Sequence, residues 1–191
     1  MMSTKTVIEE FPQLETERLV LRELTLEDTQ TLLKFWADDE VTKYMNIESF
    51  QNPKQAEDMI RLLNELFQKK EAIRWGIVKK EDNSLIGTCG YNSWIQEQAL
   101  RGELGYELGR AYWRQGFMAE ALRAVISYGF GVMKLNRIEA LVLLEASRSM
   151  SVLLKLGFQK EGILREHGYW KGQFWDQYCF SLLKRDWMKN S

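Results

Sequence analysis

The sequence predicts an α/β fold: a single domain built on a mixed, mostly antiparallel sheet of about seven strands, with about four helices around it. Three observations predict it. The 191 residues, 45% of them apolar, suffice for one buried core and are short for two. Runs that alternate polar and apolar residues, or are apolar throughout, interleave with runs of helical period. Pro12 and Pro53 are the only prolines, and no Gly/Ser-rich tract, charge block or internal repeat marks a linker or an array.

The alternation of Glu17 to Leu24, ERLVLREL, predicts the first strand. Thr25 followed three residues later by Asp28 can cap a helix over Leu26 to Ala37, with Leu32, Leu33, Phe35 and Trp36 on its apolar face. Asp38 to Asn52 reads as irregular, and Pro53 suits the first turn of a second helix to about Lys70. Ile73 to Lys80, Leu85 to Trp94 and Glu103 to Leu108 read as strands, joined by EDNS and by the polar QEQALRG; such short connections favour antiparallel neighbours. A third helix is expected from about Met118 to Met133, then a strand at Arg137 to Leu144 that is apolar on both faces, as a central buried strand is. A fourth helix, Ser147 to Leu156, stops at Gly157. Two aromatic strands, Gln159 to Trp170 and Phe174 to Leu183, turn at Lys171-Gly172-Gln173.

Composition excludes several classes of function. With 26 Lys and Arg against 27 Asp and Glu, the net charge of −1 gives no electrostatic reason to expect nucleic-acid binding. One histidine, His167, and two cysteines outside any Cys-x-x-Cys pair leave no ordinary zinc ligand set, so no metal is expected; Cys89 and Cys179 read as small core residues. The N-terminus MMSTKTVIEEFPQ has no apolar signal region, and no uncharged run approaches the roughly 20 residues that span a bilayer. A cytoplasmic protein is the expectation. His167 reads as a half-exposed strand residue, and Trp170, Phe174, Trp175, Tyr178 and Phe180 as packing aromatics, some of which could line a groove.

The chemistry concentrates in Glu103 to Ala119, ELGYELGRAYWRQGFMA. Strand alternation sends Leu104, Tyr106 and Leu108 to one face and Glu103, Gly105 and Glu107 to the other, so two carboxylates and a glycine share a shallow polar surface. Beyond it, Trp113-Arg114-Gln115-Gly116-Phe117-Met118-Ala119 enters a helix whose unpaired first N–H groups and dipole form an anion site suited to a pyrophosphate, Gly116 allowing close approach.

Taken with ETERLVLREL, FWADDEVTKYM, LIGTCGY, LNRIEALVLLEASRSMSVLLKLGFQKEG and YWKGQFWDQYCFSLLKRDW, in that order and spacing, this segment resembles the GNAT superfamily, within it the RimJ/RimL-like branch that acetylates protein N-terminal amines. The resemblance spans roughly residues 15–187 and leaves 1–14 as an N-terminal extension. It implies a GNAT-like sheet splayed between the strands ending near Leu108 and Leu144, with acetyl-CoA as cosubstrate in the cleft. Pantetheine would pair with backbone at Glu107, Leu108 and Gly109; the pyrophosphate would rest on amides of Gln115, Gly116, Phe117, Met118 and Ala119, with Arg114 as a phosphate partner. The chain departs from the family pattern at Trp113 and Met118 of the phosphate loop and at Ala146, where relatives carry Asn; Ser147 would then cap the fourth helix. The tyrosine that acts as general acid in other branches would fall at Leu153. Homodimers are common among such relatives.

For amine acetylation the resemblance makes Glu103 the first candidate base and Glu107, on the same face, the second. Ser149 would hydrogen-bond the leaving thiolate. An α-amine, with a pKa of about 7.7 to 8.0, needs less base assistance than a lysine near 10.4. The acceptor expected first is a protein or peptide N-terminus of the ribosomal-protein type. A small amine such as an aminoglycoside, polyamine or amino-acid analogue, and a non-catalytic acyl-CoA-binding module, are the competing readings.

Overall fold

The computed structural model describes residues 8–95 and 100–189; residues 1–7 of the expected extension and 96–99 of the QEQALRG connection lie outside them. Among the described residues eight strands form one sheet: β1 (Leu14–Glu15), β2 (Leu19–Arg22), β3 (Ile73–Lys79), β4 (Leu85–Ile95), β5 (Arg101–Leu108), β6 (Arg137–Leu143), β7 (Gln159–Trp170) and β8 (Gln173–Leu183). Their order is β1-β2-β3-β4-β5-β6-β8-β7. Every neighbouring pair is antiparallel except β5 and β6. The helices are α1 (Thr29–Trp36), α2 (Asp39–Thr42), α3 (Pro53–Gln68), α4 (Phe117–Gly131), α5 (Ser147–Lys155) and α6 (Lys184–Trp187).

The α/β sheet with one parallel pair is the expected class, and the differences lie in its smallest pieces. The sheet gains the two-residue β1, which begins at Leu14, the last residue of the segment set apart as an extension. There Ile8 and Phe11 join the core: Phe11 meets Phe67 and Trp75 edge-on, and Trp75 Nε1 donates to the Pro12 carbonyl at 2.6 Å. The first expected helix begins as a 3-10 turn, Leu26–Asp28, because Asp28 is tied to its surroundings. It accepts from the Thr25 N–H at 2.9 Å and takes both guanidinium arms of Arg22 at 2.8 Å. Within the stretch read as irregular, Asp38 caps the single turn α2 by accepting from Glu40 N–H. Pro53 opens α3, behind an Asn52 cap that accepts from Gln55 N–H. Ser147 does not cap α5: it is the first helical residue, and Ala146 stands at the cap with no side-chain bond. Cys89 is a buried core residue, whereas Cys179 is half-buried beside Arg137.

Two apolar cores, one on each face, pack the sheet between helices. Trp75, Tyr91, Leu104 and Ile138 pack with Ala121, Leu122, Val125 and Ile126 of α4 and Leu153 of α5. On the opposite face, Leu24, Val78 and Leu85 pack with Leu32 and Trp36 of α1 and Ala56 and Ile60 of α3. Close approach of α4 requires Gly129: a Cβ there would lie 2.1 Å from the Tyr91 hydroxyl, which donates to the Val125 carbonyl at 3.0 Å. No helix among the described residues is long and apolar enough to cross a membrane.

Candidate active site

The parallel pairing of β5 and β6 lasts only three rungs, Arg101 with Arg137, Gly102 with Ile138 and Glu103 with Glu139, while β5 stays on β4 as far as Leu108. Beyond Glu103 the two strands part, and a cleft opens through the sheet. The Gly109 N–H is spent on the Ile86 carbonyl at 2.9 Å, on the β4 side. Strand alternation therefore turns the Glu107 N–H to β4 as well and the Leu108 and Tyr106 peptide groups toward the cleft. The Leu108 carbonyl accepts from Trp113 Nε1 at 2.8 Å. Of the three backbone positions expected to meet an extended ligand, Leu108 alone turns its N–H into the cleft.

At the lower end of the cleft, Arg114 (φ 61°) and Gly116 (φ 81°) are both left-handed, and Gly116 caps α4 without a side-chain bond. The reversals gather the amides of Gln115 to Ala119 at the positive end of a 15-residue helix, a geometry that accepts a phosphate. Phe117 and Met118 are buried in the core, so they offer this loop their backbone only. Arg18, which the sequence reading passed over, holds the loop from outside: Nη1 donates to the Gln115 carbonyl at 3.1 Å, Nε to Glu120 at 2.6 Å, and the guanidinium lies 4.5 Å over the Phe117 ring. Arg148 of α5 stacks 4.3 Å over the Trp113 ring, adding a cation to Arg18 and Arg114 at this end.

The strand alternation sorts the side chains as expected. On the α4 side, Tyr106 Oη and Ser149 Oγ share a hydrogen bond of 2.7 Å that spans the cleft from β5 to α5. Burial pushes the Tyr106 phenol up to about 12 against the opposing pull of Ser149, so it keeps its proton. Leu153 is buried in the core and offers no acid.

On the α1 side, the two glutamates differ sharply. Glu107 is buried and fully engaged: Oε1 accepts from the Thr88 hydroxyl at 2.5 Å and from Trp36 Nε1 at 3.2 Å, and Oε2 pairs with Arg74. Glu103 is half-buried; its Oε1 accepts from Asn92 Nδ2 at 3.2 Å, and among the described residues Oε2 has no partner. Its neighbour Glu139 is held by Arg137 at 2.6 Å and Arg101 at 3.4 Å. Arg74, Thr88 and Asn92, 11 to 33 residues from the glutamates they serve, had no local motif to reveal them; only the register of β3, β4 and β5 places them side by side. His167 sits on the exposed β7 with Nδ1 3.0 Å from Gln177, far along the sheet order from β5. Among the described residues no group of three or more His, Cys, Asp or Glu is placed to hold a metal ion.

A splayed β5–β6 pair, an uncapped helix below it and polar groups on both flanks agree with the comparisons to known proteins. Residues 18–159 match the "Acetyltransferase (GNAT) domain" family model. The chain is 49% identical over 174 residues to the "Uncharacterized N-acetyltransferase p20" of Bacillus licheniformis, covering 91% of this chain and 97% of that one. It is 27% identical over 179 residues to the "[Ribosomal protein uS5]-alanine N-acetyltransferase" of Escherichia coli, covering 92% of both. Its fold superposes on the solved ribosomal-protein-S5-alanine acetyltransferase of Vibrio fischeri with a TM-score of 0.76 and 25% identity, covering 92% of this chain and 98% of that one. The chain thus belongs to the GNAT acetyltransferase family and is an acetyl-CoA-dependent N-acetyltransferase.

Proposed function

We propose that the protein acetylates the N-terminal α-amine of a protein of the ribosomal type, with Glu103 as the base and the Ser149–Tyr106 hydroxyl pair serving the leaving sulfur. The observation that carries this reading is the placement of these groups on opposite faces of the sheet where β5 and β6 part. An amine arriving on the α1 side meets a carboxylate with one oxygen unspent, and a thioester held on the α4 side meets two hydroxyls. The acceptor class follows the resemblance to the E. coli enzyme that acetylates an alanine of uS5.

Acetyl-CoA, when bound, supplies an acetyl group activated on sulfur. The Leu108 N–H would hold its pantetheine arm, and the amides of Gln115 to Ala119 with Arg114 its pyrophosphate. Glu103 takes the proton that the acceptor nitrogen loses as that nitrogen bonds to the acetyl carbon. The Ser149 hydroxyl donates to the sulfur as its bond to carbon breaks while accepting from the Tyr106 hydroxyl, so the developing negative charge meets a hydrogen-bond donor. Glu107 has both oxygens bound and is a fixed counter-ion for Arg74.

Thiol release from acetyl-CoA with an Ala-initiated peptide, spermidine and free lysine, followed by mass spectrometry of cellular protein N-termini with and without the protein, tests the acceptor. Faster turnover of the peptide is expected; turnover of the small amines alone would replace the acceptor class. Glu103→Gln is expected to lower kcat by about 10²-fold, the usual scale of base catalysis. A wild-type kcat in that variant removes the base.

A further inference from the structure

A β-bulge puts one extra residue, Asn92, into β4 opposite β5: Tyr91 pairs with Leu104 and Ser93 with Glu103, and Asn92 lies between them without a partner. Its amide is far from idle. Arg74 Nη1 donates to Asn92 Oδ1 at 3.0 Å, and Asn92 Nδ2 donates to Glu103 Oε1 at 3.2 Å. The same guanidinium donates through Nε to Thr88 Oγ1 at 2.7 Å and through Nη2 to Glu107. Gly105 leaves the room: a Cβ there would stand 2.3 Å from Asn92 Oδ1 and 2.6 Å from Nδ2.

The direction of this chain of bonds follows from donor chemistry. A guanidinium has five N–H donors and no acceptor. Whichever end of the Asn92 amide meets Arg74 must therefore be the oxygen, and the end that meets Glu103 must be the NH2. Arg74 cannot swing away to relax this choice, because Glu107 and Thr88 hold its other two nitrogens in a buried site. We propose that Arg74 and Asn92 are positioning residues for Glu103: the pinned guanidinium sets the orientation of the bulged Asn92 amide, which then grips one carboxylate oxygen and presents the other to the acceptor amine. Glu107, Thr88 and Trp36 anchor the far end of the same chain. This rests on Glu103 being the base.

Two readouts test it. The first requires no acceptor: the side-chain amide resonances of Asn92, assigned by their loss in Asn92→Ala, are followed by NMR in the full chain. Both Glu103→Gln and Arg74→Lys are expected to move them; resonances unmoved by both would overturn the bridge. The second is steady-state turnover of acetyl-CoA with an Ala-initiated peptide. Asn92→Ala is expected to lower kcat about tenfold through misplacement of the carboxylate, with KM for acetyl-CoA and the melting temperature unchanged; Gly105→Ala, which keeps every side chain of the bridge but pushes the Asn92 amide aside, is expected to lower kcat similarly with some loss of melting temperature. In the Glu103→Gln background Asn92→Ala is expected to cost less than about twofold, because residues acting through one group are not additive. A full additive loss in the double variant would overturn the positioning role and leave Glu103 as base; a wild-type kcat in Glu103→Gln would instead overturn the base on which the proposal rests.

Discussion

Arg74→Met probes the buried pair beneath the site. The Arg74 and Glu107 side chains are 11% and 5% exposed, so neither charge has water to fall back on. Removing the guanidinium leaves the Glu107 carboxylate with two neutral donors, Thr88 and Trp36. Breaking one partner of a buried ion pair costs about 3–5 kcal/mol, and for a chain of this length each kcal/mol lowers the melting temperature by about 2–4 °C. The expected fall is therefore about 6–20 °C. Glu107→Leu should destabilise comparably, since it strands the guanidinium. The double variant removes both charges, and apolar replacement of a whole buried pair is often close to neutral, so its loss should be well below the sum of the singles. Thermal unfolding of the four proteins by circular dichroism, with urea titration to convert to free energy, measures this. A fall under about 2 °C in Arg74→Met, or a double variant additive within about 0.5 kcal/mol, would show that Arg74 and Glu107 do not depend on each other as a buried pair.

Arg18→Met is expected to raise KM for acetyl-CoA about tenfold and leave kcat nearly unchanged, because Arg18 braces the Gln115–Gly116 reversal from outside the reacting groups; an unchanged KM would show that the loop holds itself. Gly129→Ala reverses the usual sign of a helical glycine replacement. The helix gains about 1 kcal/mol, but the Tyr91 hydroxyl must move by more than an ångström and give up its bond to Val125, at about 1–3 kcal/mol each for overpacking and a stranded buried hydroxyl. Urea unfolding should show net destabilisation that Tyr91→Phe largely relieves, and a stabilised Gly129→Ala would contradict the packing. The Glu161 carboxyl is held down to about 2 by hydrogen bonds from Arg137 first and Ser181 second. A carboxyl lowered in the folded state contributes stability in full above its ordinary value near 4.5 and loses it as the pH falls toward 2. Glu120, where burial opposes but bonds from Thr16 and Arg18 prevail, shifts the same way. The melting temperature should hold above about pH 5.5 and drop between about 4.5 and 2, less steeply in Arg137→Met; equal slopes would exclude Glu161 as a contributor.

Legibility in the sequence followed the range of the interaction. The seven longer strands and four longer helices were readable because period and caps are local: Pro53 behind Asn52, the alternation in Glu103 to Leu108, Gly157 after α5. The small elements were not. The two-residue β1 has no room for a period, and α2 depends on one Asp38 carboxylate finding the Glu40 N–H. Ser147 looked like a cap because residue type favours it, yet the chain leaves Leu143 by a turn in which the Ala146 N–H bonds the Leu143 carbonyl, placing Ser147 one position inside the helix.

By itself the sequence determined the fold class, the two faces of Glu103 to Leu108 and the helix-opening turn at Gly116, since alternation and φ preference act within a few residues, and the order and spacing of its motifs carried the family resemblance. The tertiary structure alone decided which glutamate is spent and which is open. Both lie on one face of one strand, and in the chain only the family resemblance set Glu103 ahead of Glu107. Glu107 stands over Thr88 and Arg74 and under Trp36, and Glu103 stands where β6 departs and a bulge supplies a single amide. That distinction depends on register between strands and on a helix 71 residues away in sequence, and no local pattern encodes it.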